Sequence, residues 1–233
     1  MKYDRIIKGR FLDRPNRFVA HVDIGGETLP CHVKNTGRCR ELLLPGVPVY
    51  LQESDNPSRK TRYDLICVEK GDMLINMDSQ IPNHVVAEWL QKGPLFPKDA
   101  RIQMEKSYGN SRFDLYVETI KTPRRKAYLE VKGVTLEIDR QARFPDAPTQ
   151  RGIKHVRELM QCVQDGYEAY LIFVIQMSGI KGFAPNWATH PEFGQALQEA
   201  QQAGVQIQAY GCQVRPDEIT LDTPIPINLK EPT

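Results

Sequence analysis

Arg112-Phe113-Asp114-Leu115-Tyr116-Val117 and Leu129-Glu130-Val131-Lys132 are the two stretches that decide how this chain is read. Both have the residue types of β-strands, in which successive side chains point to opposite faces. The alternation predicts Phe113, Leu115 and Val117 on one face and Asp114 on the other, while Glu130 and Lys132, two residues apart, share a face. If the strands form a hairpin about Thr122, paired positions add to 244, which sets Asp114 opposite Glu130. Two carboxylates facing each other, with Cβ atoms about 5 Å apart, repel unless something cationic lies between them. Mg2+ (or Mn2+) suits the position, because Mg2+ takes oxygen ligands, keeps several waters and is held by one or two carboxylates plus substrate phosphate. Lys132 would then orient or deprotonate a water, or stabilise charge as a phosphodiester is attacked. The same alternation also describes a plain polar sheet face on which Lys132 pairs with Glu130 and Asp114, and taken alone that is its commoner use.

Around these strands the pattern alternates between helix and strand. A helix is predicted over 83–92, with Val85, Val86, Trp89 and Leu90 on one face and His84 and Glu88 on the other. Strands are predicted over 101–108, 112–118 and 127–136. A second helix over 150–164 carries the apolar stripe Ile153, Val156, Met160 and Val163. The continuous apolar run 169–175 reads as a buried central strand. A last helix is predicted to start at a capping box, Thr189-His190-Pro191-Glu192, and to end at Gly204, before a strand over 205–210.

The first 80 residues differ, with short strands and almost no helical period. Gly25-Gly26 separates two alternating runs, 18–22 and 29–33, as a two-residue primed turn does. Further strands at 47–52, 63–68 and 73–76 make about five, which fits an OB-type barrel. The boundary between the two patterns falls near 78–82. Residues 1 to 40 hold nine Lys or Arg against four acids, a surplus of five in a chain whose net charge is only +2. That asymmetry is as consistent with a solvated basic face as with a phosphate-binding surface that includes Arg17, Lys34, Arg38 and Arg40. Asn35-Thr36-Gly37 reads as a turn or as a phosphate-contacting loop, and His21 and His32 as packed residues of a strand pair. Trp89 is expected in the core, and Trp187 either stacks a base or covers the sheet. The five cysteines form no C-x-x-C pair and read as buried thiols of a reducing compartment. With no apolar run long enough to span a bilayer and no leader pattern, a cytoplasmic location is expected.

The order helix, three strands carrying D then E-x-K, helix, strand resembles the PD-(D/E)xK nuclease superfamily. That resemblance implies catalysis by Asp114, Glu130 and Lys132, a metal on Asp114 and Glu130 joined by Glu88 from the first helix, and phosphate contacts from Gln150, Arg151, Lys154 and His155 on the second. Glu105 is the other acid expected nearby. Pro145-Asp146 spells the motif's name but follows E-x-K, and reads as a loop near the site. More closely, Asn35-Thr36-Gly37, Ser111-Arg112-Phe113-Asp114, Tyr128-Leu129-Glu130-Val131-Lys132, Val134-Thr135-Leu136, Phe144-Pro145-Asp146-Ala147, Arg151-Gly152, Lys154-His155 and Glu158-Leu159 are similar to the sugar fermentation stimulation (SfsA) family. This match runs from about residue 10 to 210. It implies an α/β (α+β) chain with an OB-like nucleic-acid-binding domain over 1–80 and a PD-(D/E)xK restriction-endonuclease-like mixed sheet flanked by helices over 81–233. It further implies DNA binding, with Arg112 among the contacts, and a regulatory association with sugar fermentation. The family's name records a phenotype, so nuclease activity does not follow from it. Two functions are therefore expected as alternatives: a DNA-binding protein with a Mg-dependent phosphodiesterase site, or a non-catalytic DNA-binding regulator of sugar (maltose) metabolism that keeps the fold. DNA, single-stranded forms included, is the expected partner; no membrane and no small-molecule cofactor is expected, and a homo-oligomer is left open.

Overall fold

The computed structural model of the chain describes every residue except Thr36 and Thr233, so the centre of the Asn35-Thr36-Gly37 stretch lies outside the described residues. The N-terminal strands are β1 (Ile6–Asp13), β2 (Val19–Ile24), β3 (Glu27–Val33), β4 (Pro48–Glu53), β5 (Tyr63–Lys70) and β6 (Met73–Asn76). They pair in the order β3-β2-β1-β4-β5-β6, and an added parallel pairing of β3 with β5 closes the first five into a barrel. Closure removes the exposed edges that a five-stranded sheet would otherwise present. The β2–β3 hairpin turns at Gly25 and Gly26, both at positive φ (65° and 92°), which side chains resist and a primed turn requires. Alternation then buries Ala20, Val22, Cys31 and Val33 inside.

The second body consists of α1 (Ile81–Gln91), β7 (Arg101–Tyr108), β8 (Ser111–Glu118), β9 (Lys126–Val134), β10 (Glu137–Ile138), β11 (Gln141–Phe144), α2 (Gln150–Gln164), β12 (Glu168–Ile175), β13 (Gly182–Pro185), α3 (Pro191–Gln202), β14 (Gln206–Arg215) and β15 (Glu218–Pro224). Its main sheet runs β15-β14-β12-β9-β8-β7, with β12 parallel to both neighbours. After Glu168, strand β12 is apolar because both its faces are covered: Tyr170, Ile172 and Val174 pack with the α1 side, and Leu171, Phe173 and Ile175 with the α2 and α3 side. Helix α2 begins at Thr149, whose hydroxyl accepts from the Gly152 N–H at 3.0 Å, and buries Ile153, Val156 and Leu159. All five cysteines are free and buried, and burial pushes the thiols of Cys31, Cys39, Cys67, Cys162 and Cys212 up to about 12.

Several expectations need correction. β1 was hidden because its sequence is basic and carries Gly9, which meets the neighbouring strand where a Cβ would stand 2.6 Å from Val22 Cγ1. The C-terminal hairpin strand β15 and the small sheet β10-β11-β13 were also absent from the sequence reading. Thr189 does not cap α3: His190 occupies the cap, without a side-chain capping bond, and the Thr189 N–H is spent on the Asn186 carbonyl. Trp187 is buried with its ring against Gly194 of α3, where a Cβ would come within 2.6 Å of it. Trp89 is only half-buried and lies against Tyr210.

The two bodies are bolted together. Gln176 donates from Nε2 to the backbone oxygens of Asn76 and Asp78, both at 3.0 Å, and Lys70 reaches the Glu137 carboxylate at 2.6 Å. The N-terminal residues cross over to the second body, where Tyr3 N–H donates to Asp217 O at 2.8 Å. No described helix is long and apolar enough to cross a membrane.

Candidate metal centre and basic cleft

The hairpin register is the one the spacing predicts: Leu115 pairs with Leu129, Tyr116 with Tyr128, Val117 with Ala127 and Glu118 with Lys126, each adding to 244. The ladder stops there, one pair short of Asp114 and Glu130. On the other side of β8, Met104 pairs with Leu115 and Lys106 with Phe113, but Glu105, at φ 55°, does not pair with Asp114. A non-glycine residue in the left-handed region costs about 1–2 kcal/mol, and such strain concentrates at functional sites. The kink turns Phe113 into the core under α2 while Leu115 and Val117 face the core under α1, so these three do not share a face as expected.

Asp114 is thereby released from both neighbouring strands, and its own side chain takes up the broken ladder. Oδ2 accepts the Val131 N–H at 2.8 Å, and Oδ1 accepts from Asn83 Nδ2 on α1, also at 2.8 Å. The carboxylate therefore lies at the fork between β8 and β9 rather than stacked flat against Glu130. Glu130 is held from the opposite side. Its Oε1 accepts from Lys132 Nζ at 2.5 Å and from His155 Nδ1–H on α2, while its buried Oε2 has no partner among the described residues. His155 Nε2 is left as the acceptor toward Arg151 Nε, at 3.5 Å.

The electrostatics follow from this geometry. Burial pushes the Asp114 carboxyl up, and the nearby Glu130 charge adds to it, so that it stands at about 6 despite the Val131 N–H, Lys132 and Asn83 pulling the other way. Burial also pushes Glu130 up, but His155 and Lys132 more than reverse the effect and hold it below the ordinary carboxylate range. The fork thus holds one carboxyl below its ordinary range and raises the other, with Lys132 as the lysine near both.

The remaining candidates are dispersed. Glu88 is not at the fork: it pairs with the N-terminal ammonium at 2.8 Å, and five residues from Asn83 it sits about 140° around the helix from the residue that touches Asp114. Glu105 faces Arg112 at 3.4 Å, both on the surface. His155 is buried against Glu130, so it is not the exposed phosphate contact expected of it. Lys34 is consumed by the buried carboxylate of Asp78 at 2.6 Å. Gln150, Arg151 and Lys154 are exposed on α2, and Lys154 faces Glu158 at 3.8 Å. His21 and His32 meet Asp13 at 2.9 Å and Asp64 at 3.1 Å. Among the described residues no group of three or more His, Cys, Asp or Glu side chains gathers to hold a metal.

Arg17, Arg38 and Arg40 do converge. They line a cleft of about 790 Å³ between the barrel and the second body, whose floor is Gly133–Leu136, directly after Lys132, and whose far wall runs from Arg143 to Thr149. Three of its residues went unnoticed in the sequence. Arg14 donates to the carbonyls of Arg17, Asn35, Gly37 and Arg38 and so shapes the basic loop; Arg143 and Gln176 form the opposing side. Asn83, which holds Asp114, was read only as a helix start. No periodicity in the sequence marks any of the four, since each is assigned by a contact between distant segments.

With that geometry in view, the chain can be set beside known proteins. Residues 80–218 match the model of the sugar fermentation stimulation protein RE domain, and residues 12–77 that of the SfsA N-terminal OB domain. The sugar fermentation stimulation protein homolog of Desulfitobacterium hafniense (strain Y51) is 55% identical over 231 residues, covering 99% of this chain and 100% of that protein. The homolog of Clostridium beijerinckii is 54% identical over 221 residues, 95% and 96% of the two chains. The structure of Pyrococcus furiosus SfsA in complex with Ca2+ superposes with a TM-score of 0.84 at 28% identity, covering 98% of both chains. Barrel, fork and near-full-length identity agree, and the chain belongs to the sugar fermentation stimulation protein family.

Proposed function

We propose that this chain binds DNA and carries a divalent-metal-dependent phosphodiesterase site at the fork between β8 and β9. The observation that carries the proposal is the unpartnered, buried Glu130 Oε2 beside an Asp114 carboxyl raised to about 6. A buried carboxylate oxygen without a donor is costly, and an Asp/Glu pair sharing one lysine is short of positive charge. Asp114 and Glu130 suit a hard cation that keeps most of its waters and draws further oxygens from substrate phosphate. The similar P. furiosus protein was solved in complex with Ca2+, another cation of oxygen ligands. Bound there, the cation would act as a Lewis acid on the scissile phosphodiester. Asn83 and the Val131 N–H fix the Asp114 carboxylate, His155 fixes Glu130, and Lys132 supplies positive charge to the phosphoryl oxygens as they gain charge. The test is incubation of end-labelled single- and double-stranded DNA with Mg2+, Mn2+ or EDTA; cleavage is expected with either metal and none with EDTA. The second reading is a DNA-binding regulator without catalysis, in which Lys132 and His155 serve only to neutralise the buried Glu130. That reading prevails if neither metal supports cleavage of any substrate while DNA is still bound.

Phosphate binding falls to Arg17, Arg38 and Arg40, which are exposed, line the cleft and join no ion pair among the described residues. Affinity for DNA is expected to fall at least tenfold between 50 and 200 mM salt. Charge reversal of Arg38 and Arg40 together should weaken unrelated sequences equally and flatten the salt dependence, as read by fluorescence anisotropy. An affinity unchanged by salt would place the binding surface elsewhere.

A further inference from the structure

The cleft is narrower in its purpose than a surface for any nucleic acid. We infer that it takes a single unpaired strand, with phosphates against Arg17, Arg38, Arg40 and Arg143 and a base stacked on Phe18, the residue that follows Arg17, an assignment that rests on the nucleic-acid reading above. Three observations lead there. First, the cleft has two walls, and its volume of about 790 Å³ lies in the range that encloses small ligands, roughly 300–1,000 Å³. A few nucleotides of one strand fit such a space; a duplex does not, and would need an open face.

Second, the lining is one-sided in charge: Arg14, Arg17, Arg38, Arg40 and Arg143 stand against Asp146 among the described residues that line it. Arg14 is spent on backbone carbonyls, but the other four have no carboxylate within ion-pair distance, and the buried Nε of Arg143 lacks any acceptor. Guanidinium groups that line the cleft without a carboxylate partner suit an anion entering it.

Third, Phe18 directly follows Arg17 and is 55% exposed. Its backbone is fixed, since its N–H donates to Asn16 Oδ1 at 2.9 Å and its carbonyl accepts from Val33 at 2.8 Å, so the ring is presented from a rigid turn. Leu44, 52% exposed, follows the cleft residue Leu43. One exposed apolar side chain is ordinary. An exposed aromatic ring on a rigid turn, next in sequence to an unpaired arginine of the cleft, is the combination that binds unpaired bases, whose faces a duplex hides.

The full chain, kept in EDTA so that cleavage cannot intervene, is titrated against labelled oligothymidylate of about 15 nucleotides, within the site size of one OB fold, and against a duplex of equal length. The strand should bind at least tenfold more tightly. Phe18→Ala should weaken the strand about tenfold and leave the duplex nearly unchanged, in keeping with about 1–3 kcal/mol for a stacked base, and Phe18→Trp should restore it. Arg143→Ala should weaken the strand as well. Equal affinity for strand and duplex, indifference to Phe18→Ala, or a mononucleotide that binds as tightly as the oligomer would each overturn the inference. Strand binding as expected with no cleavage in Mg2+ or Mn2+ would remove the catalytic reading and leave this one standing. Cleavage of duplex without selective strand binding would do the reverse.

Discussion

Replacing Lys132 with Met is expected to lower metal-dependent cleavage by about 100- to 1,000-fold, the usual cost of removing one preorganised group that meets charge developing in a transition state. The affinity for the divalent cation should stay close to wild type, because neither carboxylate is altered. Single-turnover cleavage measures the first quantity and calorimetric titration of Mn2+ the second. Lys132 also donates to Glu130, which is almost fully buried, so Lys132→Met leaves that carboxylate, among the described residues, with His155 as its remaining hydrogen-bonding partner. Some loss of stability follows, and a thermal melt of the variant separates lost folding from lost chemistry. A folded variant that cleaves at the wild-type rate would make Lys132 a structural partner of Glu130 and nothing more.

Asp114→Asn should act in the opposite direction on stability. In the folded chain the Asp114 carboxyl stands at about 6, against an ordinary 3.8. The native state therefore holds this proton more tightly than the unfolded state does. Its contribution is fully present below about pH 4, is lost as the pH rises through 6, and remains lost above that. A separation of about two units corresponds to at most ~3 kcal/mol. Removing the charge should thus raise the metal-free melting temperature at pH 7.5 by about 3–8 °C, with the advantage gone near pH 4. Glu130, held below its ordinary value, stabilises in the opposite sense, above its unfolded range and less as the pH falls, so only the difference between variant and wild type isolates Asp114. Melting curves from pH 4 to 8 give that difference. An Asp114→Asn protein that is less stable than wild type at pH 7.5 would mean that the hydrogen bonds to Asn83 and Val131 outweigh the buried charge.

Much of this was legible in the chain itself, for identifiable reasons. The register about Thr122 follows from strand arithmetic alone, and helix 150–164 from its apolar stripe. The run 169–175 announces its burial by having no polar alternation. What the alternation rule could not anticipate is the kink at Glu105 and Asp114, because the rule assumes an unbroken ladder, and it is the break that frees the Asp114 side chain and sends Phe113 to the other face. Glu88 was misplaced for a related reason: membership of the right helix does not set the angle around it, and Asn83 holds the angle that matters. Lys34 was counted as free charge because its partner, Asp78, is buried by the docking of the two bodies. Arg143 reaches the cleft by the same docking.

The central claim is that Asp114 and Glu130 together hold a divalent cation. The most direct measurement is calorimetric titration of Mn2+ and Mg2+ into the metal-free chain at pH 7.5, beside Asp114→Asn and Glu130→Gln. One site per chain is expected in the wild type, weakened at least tenfold by either substitution, with a melting temperature that rises on metal addition in the wild type only. A wild-type chain that binds neither ion, or one whose binding is indifferent to both substitutions, would contradict the account.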